Sequence, residues 1–483
     1  METTRIAVAA GDGIGPEIMD AVLHVIQAAE APLEFEHVEM GRNVYERGIT
    51  SGITPETQRT VERLGILLKS PLETPKGGGA KSVNVTARKL WSTYANKRVF
   101  RSFGGVSTPF SRAGIPIDLT IVRENIEDTY GGIEHMLTHD VALCRRLVTR
   151  PGSLQVHRYA FEMAERKGAR KITCGHKANI MKLTDGLFLE AFHEVAKDHP
   201  GLRAEDVIVD DLAMKLVTRP DEFDVVVLPN LQGDILSDLC AGLVGGLGFA
   251  PSANLGANVC VFEAVHGTAP TIAGENLANP TALLLSACMM LRHLGLVDEA
   301  ARIEIAIEHT IAEGCHTQDF GDETTAAMTT AEFTDALVAH LPPEWSAAEE
   351  QEPLLGWRAE RTPAQRMLET PKLHATKLAG VDLFVESAEP ANRLAERLAG
   401  VVPSGHRLTM VSNRGTQVWP EGSVFTECVD QYRVRIEVDQ GIEASEATML
   451  DVARGAADVV RVCSVEMLLV IGDRPGFSLA QGQ

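Results

Sequence analysis

The hydrophobic pattern of this chain begins with an apolar run, Arg5-Ile-Ala-Val-Ala-Ala10, that predicts a buried strand. Gly11-Asp-Gly-Ile-Gly-Pro-Glu17 supplies turn chemistry, and Ile18 to Ala29 has the apolar spacing of an amphipathic helix. Further strands are predicted at residues 64–70, 118–124, 171–176, 206–210 and 224–229, with helical periodicity between them. That alternation predicts an α/β fold with a largely parallel sheet. The glycines of the first turn run G-x-G-x-G and not G-x-G-x-x-G, so the ordinary Rossmann fold is not expected.

The pattern changes near residue 341. Residues 341–371 are rich in Pro, Glu and Ala with little periodicity, and read as a linker. Beyond it, residues 381–386 read as a strand, 390–399 as a helix, 408–412 and 432–438 as strands, 444–460 as a helix and 464–471 as a strand. The order β-α-β-β-α-β predicts a C-terminal α+β ferredoxin-like domain over residues 372–483.

Composition narrows the functional classes. A chain of 483 residues is long enough for two or three domains. Its formal charge of −21 argues against nucleic-acid or anionic-membrane partners, so any small anion it handles must meet a local basic pocket. Eight cysteines are scattered without a Cys-x-x-Cys pair or zinc-ligand spacing, which fits a reducing, cytosolic setting with buried thiols. No signal or transit pattern precedes the first strand, and no apolar run reaches the roughly 18 residues of a membrane span.

Against that acidic background one segment stands out: Thr74-Pro-Lys-Gly-Gly-Gly-Ala-Lys-Ser82-Val-Asn84-Val-Thr-Ala-Arg88. From Ser82 onward it reads as a helix, placing Ser82 and Asn84 in the first turn, where free N–H groups favour anions. Arg88 follows, and Arg98 and Arg123 lie further along the chain; arginine suits two-pronged carboxylate recognition, so a di- or tricarboxylate is the expected ligand. Asp234 and Asp238, at i and i+4, share one face of a helix that opens after a strand. Such a pair suits a hard divalent cation, and equally a helix N-terminus that wants negative charge. Asp210-Asp211 is read at the end of a strand, where it is either a further ligand or turn chemistry. Tyr130 and Lys182 each follow a buried strand and can do acid–base work only if their neighbours adjust them. Residues 263–274 form a loop of small residues, where the backbone can close on a nucleotide near His266.

Taken together, these residues resemble the β-decarboxylating dehydrogenases, the family of isocitrate, 3-isopropylmalate and homoisocitrate dehydrogenases. The resemblance covers roughly residues 1–340, and Ser82-x-Asn84-x-x-x-Arg88 resembles its isocitrate version. Met410-Val-Ser-Asn-Arg-Gly-Thr-Gln-Val-Trp-Pro420 and the stretch from Pro475 are similar to the extension of the long bacterial isocitrate dehydrogenases, such as the Thermus form. The family's own fold is then implied: a large coenzyme-binding domain from residues 1–93 and 245–340, and a small substrate, metal and dimerisation domain from 94–244 with a clasp at about 127–160.

The resemblance also implies roles. Ser82, Asn84, Arg88, Arg98 and Arg123 bind the carboxylates of isocitrate, with Ser82 and Asn84 selecting its γ-carboxylate. Asp234 and Asp238, with Asp210 of a second copy, hold Mg²⁺ or Mn²⁺. Tyr130, Lys182 and Asp210 are the acid–base groups, Lys182 and Asp210 coming from the other subunit of a homodimer with shared active sites. Thr74, Glu263, His266, Gly267, Thr268, Ala269, Thr271, Ile272, Asn279 and Asp319 contact the coenzyme. Thr271 and Ile272 stand where NADP-using relatives carry Lys-Tyr, and Gln318 and Asp322 where they carry Tyr and Arg; with four phosphate-binding groups missing, NAD is the expected coenzyme. The implied reaction is the metal-dependent oxidative decarboxylation of isocitrate to 2-oxoglutarate in the tricarboxylic acid cycle. Homoisocitrate and 3-isopropylmalate are alternative substrates, and a non-catalytic regulatory subunit is the alternative of a different class. For the C-terminal domain, bracing of the dimer and small-molecule regulation both stand.

Overall fold

The computed structural model describes residues 3–73, 82–321, 325–343, 375–422 and 425–479. Thr74 with the glycines at 77–79, Asp322, and the expected linker from residue 344 onward therefore lie outside the described residues. The chain divides into two compact units, Met1–Tyr130 with Leu147–Arg366, and Gly131–Arg146 with Met367–Gln483.

The first unit starts with β1 (Thr4–Ala9), α1 (Gly15–Ala28), β2 (Leu33–His37), α2 (Arg42–Glu46), α3 (Pro55–Leu64), β3 (Ile66–Lys69), α4 (Val83–Leu90), β4 (Ala95–Arg101), α5 (Pro109–Arg112) and β5 (Asp118–Glu124). The hairpin β6 (Glu134–Met136) and β7 (Ala142–Cys144) then leaves for the second unit. The first unit resumes with α6 (Arg150–Lys167), β8 (Lys171–His176), α7 (Thr184–Ala196), β9 (Arg203–Ile208), α8 (Val209–Thr218), β10 (Val225–Leu228) and α9 (Asn230–Leu243). It closes with β11 (Pro251–Leu255), β12 (Cys260–Ala264), α10 (Thr281–His293), α11 (Val297–Ala312) and α12 (Thr330–Ala339).

Ten strands form one sheet in the order β2-β1-β3-β12-β11-β4-β5-β10-β8-β9. Its two ends are parallel, and β3 and β10 are buried along their whole length, as expected of strands covered by helices on both faces. Its centre is antiparallel: β11 pairs antiparallel with both β12 and β4, and β4 with β5. The apolar pattern missed β4 and β11 because Asn96, Arg98, Ser252 and Asn254 interrupt it, and these residues build the polar centre of the molecule. Local chemistry sets the helix ends; Thr54 caps α3 by accepting from Thr57 N at 3.0 Å, and Gly65 ends it in the left-handed region.

The second unit is a six-stranded antiparallel sheet with a ferredoxin-like core. Its elements are β13 (Thr376–Glu386), α13 (Ala391–Ala399), β14 (His406–Asn413), β15 (Thr416–Trp419), β16 (Gln431–Val438), α14 (Glu446–Ala457), β17 (Arg461–Ile471) and β18 (Arg474–Pro475). Sheet order β15-β14-β16-β13-β17-β18 places the four core strands as expected and adds one short strand to each edge. Val381, Leu383, Val434 and Ile436 alternate onto one face and bury against Leu394, Leu398, Met449 and Val452 of the two helices. The β6–β7 hairpin joins this unit through Thr138 Oγ1, which donates to Asp430 at 3.0 Å, and through an Arg145–Glu466 ion pair.

Candidate active site

Register across the antiparallel centre brings the charged side chains together. Lys69 on β3 lies opposite Glu263 on β12, Glu263 opposite Ser252 on β11, and Ser252 opposite Arg98 on β4. One period-two step along, Asn254 lies opposite Asn96, and Asn96 opposite Arg123 on β5. Because cross-strand partners point to one face, these side chains form a single polar surface.

Arg123 is 1% exposed and Arg98 is 4% exposed, so neither can be left without acceptors. Arg123 donates to Asn230 Oδ1 from Nε at 3.0 Å and from Nη2 at 2.7 Å, and pairs through Nη1 with Asp234. Its guanidinium stacks 4.9 Å from the ring centre of Tyr130. Burial first, then the neighbouring charges of Arg88 and Arg98, pull the Arg123 pKa down to about 9. Arg98 donates from Nη1 to Ser237 Oγ at 2.5 Å and lies 3.4 Å from Asp234 and 3.6 Å from Asp238. Tyr130 donates its phenolic proton to Asp234 Oδ2 at 2.6 Å, and burial followed by that bond raises its pKa.

Asp234 and Asp238 sit one turn apart on α9 but differ electrostatically. Burial works against the Asp234 carboxylate, yet Arg123, Tyr130, Arg98 and Arg88 together hold its pKa below the usual range. Asp238 is raised, chiefly by burial. The two carboxylates face one side of the helix, a donor set that fits a hard divalent ion completed by oxygens from elsewhere. Among the described residues there is no group of three such ligands within this chain.

At the other end, Ser82 caps α4, accepting from Val85 N at 3.5 Å. Asn84 Oδ1 and Arg88 Nε are buried without a hydrogen-bond partner among the described residues, which is the signature of a site that expects a polar ligand. Arg88 reaches to 3.8 Å from Glu263, and Glu263 forms a buried pair with Lys69. Against the effect of burial, Lys69 and Arg88 pull the Glu263 carboxyl down to about 2.

The residues expected to face the coenzyme divide. His266 Nδ1 lies 3.0 Å from Gly267 O while Nε2 is buried without a partner, and burial lowers the imidazole pKa. The Thr268 carbonyl oxygen accepts from Ile14 N at 3.0 Å, and a side chain at Gly13 would overlap it, which explains the glycine there. Ala269 follows with a positive φ of 37°. Glycine turn and His266 loop therefore close on each other with an orphaned imidazole nitrogen between β12 and α10, a fit for a nucleotide. Thr271 is exposed, whereas Ile272 packs against the apolar core and so offers no polar contact. Asn279 Nδ2 donates to Asp319 at 3.1 Å and Asn279 Oδ1 accepts from Thr281 N, so this pair is satisfied internally.

Lys182 and Asp210 are not brought to this cluster. Lys182 is exposed, between β8 and α7, and makes no hydrogen bond or ion pair among the described residues. Asp210 does not end a strand as expected: β9 stops at Ile208, and Asp210 lies in the first turn of α8, exposed and paired with Lys177, which lowers its pKa. Sequence reasoning missed Lys69, Asn96, Asn230, Ser237 and Asn254. Lys69 ends an otherwise apolar strand and was the one with a readable signal, whereas the amides resemble ordinary polar interruptions.

Comparison with known proteins follows the same division. Residues 5–337 match the family described as isocitrate/isopropylmalate dehydrogenase, and residues 376–483 match the C-terminal domain of bacterial isocitrate dehydrogenase. The chain is 45% identical to "Isocitrate dehydrogenase [NADP]" of Thermus thermophilus, over 99% of this chain and 96% of that one. It is 47% identical to "Isocitrate dehydrogenase [NAD] catalytic subunit 5, mitochondrial" of Arabidopsis thaliana, over 68% of this chain and 87% of that one. Its fold is similar to the crystal structure of the TT0538 protein from Thermus thermophilus, with a TM-score of 0.90, 43% identity and coverage of 99% of this chain and 96% of that one.

The expectation of NAD is overturned by these relatives. Six that span 99–100% of the chain, from Thermus and Rickettsia at 38–45% identity, are each named isocitrate dehydrogenase [NADP]. The expectation rested on missing side chains at four positions, and absence there does not prevent other groups from holding a phosphate. Ile272 packs against the apolar core and offers a phosphate no polar contact, and Asp322 lies outside the described residues.

Proposed function

Because this chain belongs to the isocitrate/isopropylmalate dehydrogenase family and carries the C-terminal domain of the bacterial isocitrate dehydrogenases, we propose that it converts isocitrate to 2-oxoglutarate and CO₂ with reduction of NADP. The observation that supports this most is the convergence of Arg98 and Arg123 on Asp234, which also accepts from Tyr130, with the charge of Arg88 acting on the same carboxylate. Three guanidinium groups around one carboxylate pair suit an acid with three carboxylates. The full-length NADP-named relatives support the coenzyme.

In this reading Arg88, Arg98 and Arg123 clamp the substrate carboxylates, and Ser82 and Asn84 at the start of α4 take the γ-carboxylate. Magnesium or manganese held by Asp234 and Asp238, with Asp210 of a second copy, would polarise the new carbonyl so that CO₂ can leave. Lys182 and Asp210 of that second copy would take the hydroxyl proton, and the nicotinamide, when bound, would supply the acceptor for the hydride. Tyr130, whose raised pKa keeps it protonated, returns a proton to the carbon that loses CO₂. The His266 loop holds the coenzyme against the Gly11–Gly13 turn.

A homodimer is part of the proposal. Ile180, Leu183, Met214, Val217, Leu231 and Ile235 are exposed apolar residues in the same part of the chain as Lys182 and Asp210, which suits an interface that buries them and delivers both groups to a neighbouring site. No helix among the described residues is long and apolar enough to cross a membrane, and a cytoplasmic setting is proposed from the bacterial relatives.

The purified chain, supplied with Mn²⁺, should reduce NADP with isocitrate at a kcat/KM at least about tenfold above that with homoisocitrate or 3-isopropylmalate, and above that with NAD. Failure to turn over isocitrate with either coenzyme refutes the reading, and a higher kcat/KM for NAD refutes the coenzyme.

A further inference from the structure

Two buried amides connect the Glu263 end of the polar surface to the arginine end. Asn254 Nδ2 donates to Glu263 Oε1 at 2.7 Å. Asn254 Oδ1 accepts from Asn96 Nδ2 at 3.1 Å and from Asn125 Nδ2 at 2.9 Å. Asn96 Oδ1 in turn accepts from Arg98 Nε at 2.7 Å. Asn96 is 0% exposed and Asn254 1%, so bulk water does not reach either amide.

The two ends of this chain of bonds have fixed and opposite character. A carboxylate only accepts and a guanidinium only donates. Glu263 therefore turns the amino group of Asn254 toward itself, which turns the Asn254 oxygen toward Asn96. Asn96 must then present its amino group to Asn254 and its oxygen to Arg98. Rotating either amide by half a turn would set oxygen against oxygen at one end or N–H against N–H at the other. Every donor points toward Glu263, so the bonds polarise one another in one direction. Since the guanidinium is planar, fixing Nε fixes its plane and directs Nη1 and Nη2 to Ser237, Asp234 and Asp238, the side where a ligand carboxylate would lie.

We propose that Asn96 and Asn254 are positioning residues, a directional amide relay through which the ionised Glu263 sets the plane of Arg98 for carboxylate binding. This rests on the reading of Arg98 as a substrate-binding group. It also links the loop strand that leads to His266 with the grip on the substrate, through side chains that touch neither ligand.

The test compares Asn96→Leu, Asn96→Asp and Asn254→Leu with the unaltered chain in steady-state turnover of isocitrate, with melting temperature and coenzyme KM as controls. Asn96→Leu removes the acceptor for Nε at nearly constant size and should raise the isocitrate KM about 10- to 100-fold, with kcat changed by less than about fivefold. Asn96→Asp keeps an acceptor for Nε but sets an oxygen against Asn254 Oδ1, so its isocitrate KM should stay at least about fivefold above that of the unaltered chain. Asn254→Leu, a step further away, should raise KM at least about fivefold. If Asn96→Leu does not fold, the other two variants decide. An isocitrate KM for Asn254→Leu or for Asn96→Asp within twofold of the unaltered chain overturns the relay. Absence of isocitrate turnover by the unaltered chain refutes the proposed function instead, and calorimetric titration with isocitrate alone then decides the relay: equal affinity in all four proteins, or none, overturns it.

Discussion

Replacing Lys69 by Met tests the electrostatic arrangement at its most buried point. Lys69 is 1% exposed, its partner Glu263 6%, and the Met side chain is close to it in length. Holding a carboxylate at about 2 in place of the ordinary 4.5, against the effect of burial, corresponds to about 3 kcal/mol of stabilisation, with Lys69 first among the groups that lower it and Arg88 and Asn254 after it. Removing one member of a buried ion pair commonly costs about 3–5 kcal/mol, and the surviving Asn254 and Arg88 contacts favour the lower end. For a unit of this size we expect the melting temperature to fall by on the order of 5 °C.

The pH dependence distinguishes this loss from mere misfit. In the unaltered protein the folded pKa of Glu263 is depressed, so its stabilisation is present above the unfolded value near 4.5 and is lost only as pH falls through about 2. This group therefore adds no slope between pH 7.5 and 5.5. In Lys69→Met, burial without its main counter-charge should raise the carboxyl above its unfolded value. The penalty then applies at high pH and is relieved as the group protonates, so the gap between variant and unaltered protein should narrow on acidification from pH 7.5 to 5. Adding Glu263→Gln should restore more than half of the lost melting temperature. A gap below 1 °C at pH 7.5, or one of equal size at both pH values, would refute the reasoning.

Other consequences can be measured on the same protein. Tyr130→Phe and Lys182→Met should each lower kcat by about 10²- to 10⁴-fold with a much smaller change in isocitrate KM; near-normal turnover of either removes that residue from the chemistry. The combination Ser82→Ala and Asn84→Leu should raise the isocitrate KM at least about tenfold while affecting coenzyme KM little, and equal loss for both ligands would show a general defect of α4. Ile235→Asp, at a position 61% exposed, should shift the chain toward monomer in analytical ultracentrifugation and abolish turnover together with it; an active monomer would remove the shared-site reading. Ending the chain near residue 345 should weaken the dimer if the C-terminal domain braces it, and an unchanged association constant would discard that role.

Much of the polar site could be read from the chain because its chemistry is local. Ser82 as the cap of α4 needs only the helix that follows it, and Asp234 and Asp238 share a face because four residues make about one turn. The C-terminal order of strands and helices was equally plain, since each strand there alternates clearly between a helix-covered face and the other. Asp210 was misread because a strand end and the first turn of a helix are one residue apart in that segment, which periodicity does not resolve. The coenzyme inference failed for a different reason, since it argued from absent side chains and not from present ones.

Which strands of the first unit would be neighbours could not be read. Residue types and spacing determined the α/β character, the helix-borne carboxylates, the arginine candidates and the separate C-terminal domain, because these follow from periodicity and short-range bonding. Only the tertiary structure decided that β3, β12, β11, β4 and β5 lie side by side. That order lines up Lys69, Glu263, Asn254, Asn96, Arg98 and Arg123 from distant parts of the chain. It likewise leaves Lys182 and Asp210 outside this cluster within one chain. Cross-strand register is a long-range property: a buried amide in a strand looks like an interruption until the carboxylate and the guanidinium on either side of it are known.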